Sequence, residues 1–92
     1  MKRRRVQVFY SGKVQGVGFR YQVKRLAAGF EVTGIVRNLA DGRVELIAEG
    51  QKDELVEFRQ GIRECGLGPM IRDEVEFESE PLGEFRGFEI VR

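Results

Sequence analysis

The sequence has no histidine and no tryptophan, and it has a single cysteine, Cys65. Without histidine there is neither a phosphohistidine intermediate nor a His-ligated metal centre to consider. One cysteine forms no disulfide within the chain, which fits a reducing compartment. A cysteine-phosphatase loop would need an arginine six positions after Cys65, but that position is Ile71 and Arg72 comes one too late. No run approaches the ~20 apolar residues of a membrane-spanning helix. The basic opening Met1-Lys2-Arg3-Arg4-Arg5 leads into VQVFYSGK, which polar residues interrupt too soon for a signal-peptide core. The expectation is a cytoplasmic protein with no membrane partner. Asp41, Asp53 and Asp73 fall on separate segments and make no ligand cluster, so neither a metal nor any other cofactor is expected.

What is present suits an ordinary folded chain. Its 92 residues, 41% apolar and 34% charged with a net charge of +1, are enough for one core and one domain spanning residues 1–92. The near-zero charge conceals a division. Residues 1–38 carry nine Lys or Arg and one acid, Glu31, whereas residues 39–92 carry seven and fourteen. A basic first half suits the steering of a small anion, or else folding interleaves the two halves as solvated faces. The run Arg3 to Arg5 reads as a solvated strand start rather than a nucleic-acid patch.

Hydrophobic period orders the chain. Val6 to Ser11 reads as a strand, with Val6, Val8 and Tyr10 alternating against Gln7, Phe9 and Ser11. From Arg20 the period lengthens, and Val23, Leu26, Ala27 and Phe30 fall on one stripe of a helix over Tyr21 to Phe30. Val32 to Leu39 is a second strand and Ala40-Asp41-Gly42-Arg43 a hairpin turn. A third strand runs from Val44 to Gly50, with Val44, Leu46 and Ala48 alternating against Glu45, Ile47 and Glu49. Lys52 to Cys65 makes a second helix with Leu55, Phe58, Ile62 and Cys65 on its apolar face, and Gly66, Gly68 and Pro69 stop it. Ile71 to Ser79 is a fourth strand with one wet face, Val75 and Phe77 lying opposite Arg72, Glu74, Glu76 and Glu78. GFEIVR is a short fifth. Right-handed crossovers interleave this order into an α+β, ferredoxin-like βαββαβ sandwich, an antiparallel sheet with two helices on one face and a short C-terminal strand.

Between the first strand and the first helix stands GKVQGVGFR, Gly12 to Arg20, in which Gly12, Gly16 and Gly18 free the backbone. Such a loop can bring successive N–H groups onto one point. The helix that follows adds its own free N–H groups and the positive end of its dipole, and Arg20 adds a planar fork of donors. The ordinary alternative is a turn before a helix. It is neither a Walker loop, since no Gly-Lys-Ser or Gly-Lys-Thr closes it, nor a dinucleotide loop, since the Rossmann spacing of glycines is absent. Asn38 is a second point of interest. By alternation it shares the core face with Val36, so its amide must be hydrogen-bonded, though it also reads as a turn-initiating Asn before Asp41-Gly42.

Val14-Gln15-Gly16-Val17 leading to Phe19-Arg20 resembles the first signature of the acylphosphatase family, and residues 34–50 resemble the second through Gly34, Val36, Arg37, Asn38, Gly42, Val44 and Gly50. With Gly68-Pro69 and Phe88-Glu89-Ile90 the resemblance spans nearly the whole chain. Two positions depart from the pattern. Ile35 stands where the family usually has an aromatic residue, and alternation sends it to the open sheet face. Glu31 stands where a glycine usually ends the first helix, and a left-handed conformation there would cost on the order of 1 kcal/mol.

The resemblance implies a monomer that hydrolyses a small-molecule acyl phosphate to carboxylate and inorganic phosphate without a metal. Arg20 and the backbone amides of Gln15, Gly16, Val17, Gly18 and Phe19 would bind the phosphoryl group, and Asn38 would orient the attacking water. The departing carboxylate has a conjugate acid of pKa near ~4 and needs no general acid. Two other readings stand beside this one: a non-catalytic domain of the same fold that binds an anion or a protein, and an RNA-binding ferredoxin-like module suggested by Arg86-Gly87-Phe88. RNA-recognition motifs need aromatic residues on the third strand, and Arg43 to Gly50 has none, so no nucleic-acid partner is expected.

Overall fold

The computed structural model describes residues 2–92. The elements follow as β1 (Arg3–Gly12), α1 (Phe19–Ala27), β2 (Val32–Asn38), β3 (Val44–Gln51), α2 (Lys52–Glu64), β4 (Ile71–Ser79) and β5 (Phe88–Ile90), with a 3₁₀ turn, Gly68–Met70, before β4. Strand order in the sheet is β4-β1-β3-β2-β5. β1 lies antiparallel to β3 and β4, and β3 antiparallel to β2, so each helix joins two parallel strands with another strand between them. This is the ferredoxin-like arrangement. The sheet is mixed rather than wholly antiparallel, because β5 pairs with β2 in parallel through Gly34, Ile35 and Val36.

Period-two alternation builds the core. Val6, Val8 and Tyr10 of β1 sit opposite Ala48, Leu46 and Val44 of β3, and each is 3% exposed or less. Phe19, Val23 and Ala27 of α1 and Leu55, Phe58 and Ile62 of α2 cover them. Phe58 lies at the centre of an aromatic group, 5.8 Å from the Phe30 ring and 5.7 Å from that of Phe88. Burying each such side chain contributes about 1.5–3 kcal/mol.

Helix ends differ from the periodic expectation. α1 stops at Ala27, and residues 28–30 continue as tight turns in which the Gly29 and Phe30 N–H groups donate to Leu26 and Ala27 at 3.0 and 3.1 Å. These turns keep a helix-like path, so Phe30 still reaches the core. Glu31 is not left-handed, since among the described residues only glycines have positive φ. Its N–H donates to Glu54 Oε1 at 2.7 Å, and the expected strain does not arise. α2 ends at Glu64; half-buried Cys65 follows it, with Sγ donating to the Ile62 carbonyl.

β4 corrects the expectation of one dry and one wet face. Register opposite Val6, Val8 and Tyr10 turns Glu78, Glu76 and Glu74 toward α2, while Val75 (45% exposed) and Phe77 (56%) stand on the opposite, open face. The acids tolerate the helix side because cations meet them there. Arg59 holds Glu74 at 2.8 Å and Glu76 at 2.6 Å, and Lys52 holds Glu78 at 2.7 Å.

The open face carries two buried acids. Glu45, 4% exposed, accepts from Gln7 and from Arg37, both at 2.6 Å. Glu49, 1% exposed, accepts from Leu82 N–H at 2.9 Å, Gly83 N–H at 3.0 Å and Arg5 Nη1 at 2.7 Å. Residues 80–87 therefore cross this face over the central strand β3, carrying the chain from the β4 edge to the β5 edge. Phe85 completes the crossing by stacking under the Arg5 guanidinium, 5.4 Å from the ring centroid. Because β4 ends beside Arg5, at the low end of β1, the returning strand must run upward, which is why β5 is parallel to β2.

Burial raises the Glu49 pKa, but the Leu82 N–H, the Arg5 guanidinium and the Gly83 N–H outweigh it and hold the carboxyl below its ordinary value. A depressed folded pKa stabilises fully above the ordinary glutamate range and loses that stabilisation as pH falls through the folded value. Glu49→Ala should lower the unfolding free energy by roughly 2–4 kcal/mol in urea titration, since it strands two N–H groups and a guanidinium. Glu49→Gln should flatten part of the loss of stability that the parent shows on acidification.

Candidate active site

The loop of residues 13–18 hangs between two buried pegs. Val14 and Phe19 are each 1% exposed, and the Phe19 ring meets that of Tyr10 edge-on at 5.3 Å. Between the pegs Gly16, Val17 and Gly18 are exposed. Gly16 (φ 75°) and Gly18 (φ 83°) are left-handed, and a Cβ on either would touch no atom within 4 Å. The demand for glycine is therefore one of backbone dihedral and not of space. Left-handed residues among ordinary ones are the geometry that gathers successive N–H groups around an anion.

α1 begins where this loop ends. Gly18 is its N-cap, no side chain caps it, and its first turn holds no acidic residue. The first helical hydrogen bond runs from Gln22 N–H to the Gly18 carbonyl at 3.1 Å, leaving the N–H groups of Phe19, Arg20 and Tyr21 without an intrahelical acceptor. The positive dipole end of α1 thus has neither a carboxylate in its own first turn nor a side-chain cap upon it. Arg20 is half-buried, and among the described residues it takes part in none of the ion pairs. The Phe19 side chain is a core peg, which leaves only its N–H at the loop.

Asn38 closes β2, opposite Val44. Its neighbour Arg37 turns to the open face and binds Glu45, which fixes Asn38 on the helix side. Its Oδ1 is buried and has no hydrogen-bond partner among the described residues, contrary to the expectation of an amide satisfied within the fold. Nor does Asn38 organise the turn that follows. Leu39 N–H donates to the Arg43 carbonyl at 2.8 Å, Gly42 N–H to the Leu39 carbonyl at 3.2 Å, and Arg43 N–H to Asp41 Oδ1 at 3.0 Å. That last bond is the main cause that holds the Asp41 carboxyl below its usual range. The turn is built from Asp41 and left-handed Gly42, and the Asn38 amide oxygen remains an open acceptor.

Loop and hairpin are tied together by a residue whose side chain the sequence did not single out. Gln15 Nε2 donates to the carbonyls of Leu39 at 2.8 Å and Arg43 at 2.9 Å. The residue beside Asn38 is thereby joined to the loop that leads into Arg20. The only signal in the sequence was a long amide side chain set between a buried valine and a glycine. Among the described residues no three Cys, Asp or Glu side chains gather into a cation site.

The protein-family model described as Acylphosphatase matches residues 6–90. An acylphosphatase of Trichormus variabilis is 49% identical in an alignment 92 positions long that covers 96% of this chain and 86% of that protein. One from Acaryochloris marina is 48% identical over 86 residues, covering 89% of this chain and 87% of its own. The crystal structure of acylphosphatase from Bacillus subtilis matches with a TM-score of 0.86 at 34% identity, over 97% of this chain and 99% of that one. Alike in sequence and in fold across almost its full length, the chain belongs to the acylphosphatase family.

Proposed function

We propose that this protein hydrolyses the carboxyl–phosphate bond of a small acyl phosphate, with the phosphoryl group held by Arg20 and the loop amides and the water held by Asn38. The observation that carries this reading is an uncapped helix N-terminus tied, through Gln15, to a strand end whose Asn38 amide oxygen lacks a partner. Phosphoryl transfer needs positioning and charge stabilisation more than side-chain chemistry. The N–H groups of Gln15, Gly16, Val17, Gly18 and Phe19 supply fixed dipoles, and Arg20 supplies a fork matched to two phosphoryl oxygens. A water that donates one hydrogen bond to Asn38 Oδ1 points its lone pair at phosphorus.

The step balances without an acid or base from the protein. Water oxygen bonds to phosphorus as the bond from phosphorus to the acyl oxygen breaks, and both water protons end on phosphoryl oxygens. A dianionic acyl phosphate and water thus give a carboxylate and dihydrogen phosphate. The carboxylate leaves unprotonated because its conjugate acid has a pKa near ~4. In this reading the enzyme works as a cytoplasmic monomer. A free Cys65 suits a reducing compartment, and no helix of the described residues is long and apolar enough to cross a membrane.

Inorganic phosphate, as a product that binds the folded site alone, should raise Tm at millimolar concentration by mass action, and Arg20→Ala should abolish the rise. An equal rise in both proteins would mark a general salt effect and remove the loop as the anion site. Steady-state kinetics should separate the two side chains. Asn38→Ala should lower kcat by roughly 10² or more with phosphate inhibition changed only a few-fold, whereas Arg20→Ala should weaken phosphate binding as well as kcat. Full kcat in Asn38→Ala would instead remove Asn38 from the water-holding role. Activity should also be indifferent to EDTA and nearly flat from about pH 6 to 7, because guanidinium, amide and backbone N–H groups do not titrate there. A bell-shaped profile in that range, or EDTA inhibition that Mg²⁺ reverses, would exclude the metal-free site.

A further inference from the structure

Gln15 lies in the exposed loop, but its side chain turns back into the fold. A primary amide has two N–H donors, and Nε2 places one on the Leu39 carbonyl at 2.8 Å and the other on the Arg43 carbonyl at 2.9 Å. These are the residues that close the β2–β3 hairpin, since Leu39 N–H itself donates to the Arg43 carbonyl. Leu39 directly follows Asn38. No other side-chain hydrogen bond joins residues 13–18 to residues 39–43 among the described residues. The loop does not depend on this tie for its own shape, which Val14 and Phe19 fix from its two ends and the left-handed glycines fix between them.

We propose that Gln15 is a positioning residue that sets the separation between the phosphoryl cradle and the Asn38 amide, and so the place of the attacking water. The proposal rests on the roles given above to Arg20 and Asn38. Its physical basis is the steep dependence of reaction on alignment: a displacement of about 1 Å can cost ~10²-fold in rate while leaving a bound anion in place. Binding of phosphate needs the cradle alone. Attack on phosphorus needs the cradle and Asn38 in register, and Gln15 is the side chain that joins them.

Gln15→Met keeps the length of the side chain and removes both donors. It should lower kcat by about 10-fold or more and change phosphate inhibition by less than about 3-fold. In the Asn38→Ala background the same substitution should cost less than about 2-fold, because a residue that acts through Asn38 has nothing left to position. Additive losses, an unchanged kcat in the parent background, or phosphate affinity falling in step with kcat would each overturn the proposal. If Asn38→Ala alone keeps its kcat, the role of Asn38 fails first and the proposal falls with it. Additivity on top of a crippled Asn38→Ala defeats the proposal alone. Gln15→Glu gives a second readout should Gln15→Met not fold. Near neutrality its carboxylate only accepts, and protonation toward about pH 4.5 restores one donor, so its kcat relative to the parent should rise at least ~3-fold on acidification. A ratio that stays flat overturns the proposal.

Discussion

The face that β1 and β3 turn toward the helices is the constraint on which the remaining geometry depends. Val6, Val8, Tyr10, Val44, Leu46 and Ala48 are sealed there, and a slip of one residue in either strand would send all of one set into water. Register then propagates outward. It places Asn38 opposite Val44 at the end of β2, and it lets Phe19 meet Tyr10, so that α1 starts where β1 stops. The glycine loop spans a gap whose two ends the core has already fixed.

That arrangement suits a reaction with little demand for titrating groups. On the proposed reading, backbone N–H groups already gathered by the loop would stabilise the phosphoryl charge with little reorganisation. The first turn of α1 carries no carboxylate of its own, and no side chain caps it. Acids elsewhere are consumed by neighbouring cations: Glu74 and Glu76 by Arg59, Glu78 by Lys52, Glu45 by Arg37, and Glu49 by Arg5. Among the described residues Arg20 has no such partner, which is what its proposed role as an anion-binding guanidinium requires. Of the nine basic residues among the first 38, folding pairs Lys2, Arg4, Arg5, Lys24 and Arg37 with acids of the second half, while Arg3, Lys13, Arg20 and Arg25 have no ion pair among the described residues.

Glu49 does for the open face what apolar packing does for the other. A carboxylate that receives two backbone N–H groups and a guanidinium fastens the crossing segment over β3, and through it the parallel pairing of β5 with β2. Its cost is sensitivity to acid, because a buried carboxylate held below its ordinary pKa must be protonated before the crossing is released.

By itself the sequence determined the ferredoxin-like order of strands and helices, because periods of two and of 3.6 residues record which side chains leave water. It also carried the glycine loop, Arg20 and Asn38, since the dihedral needs of glycine and two signature strings are local properties of the chain. Only tertiary structure decided what local pattern leaves degenerate. Alternation in β4 separates Val75 and Phe77 from the glutamates but cannot say which set faces the helices; that followed from pairing with β1 and from the cations of α2. Alternation separates Glu49 from the core set of β3 but does not tell that it is buried, because its partners lie 33 and 34 positions away at Leu82 and Gly83. The side chain of Gln15 and the unpartnered oxygen of Asn38 were likewise invisible, for a hydrogen bond made or left unmade between distant segments exists only once both segments have been brought to the same place.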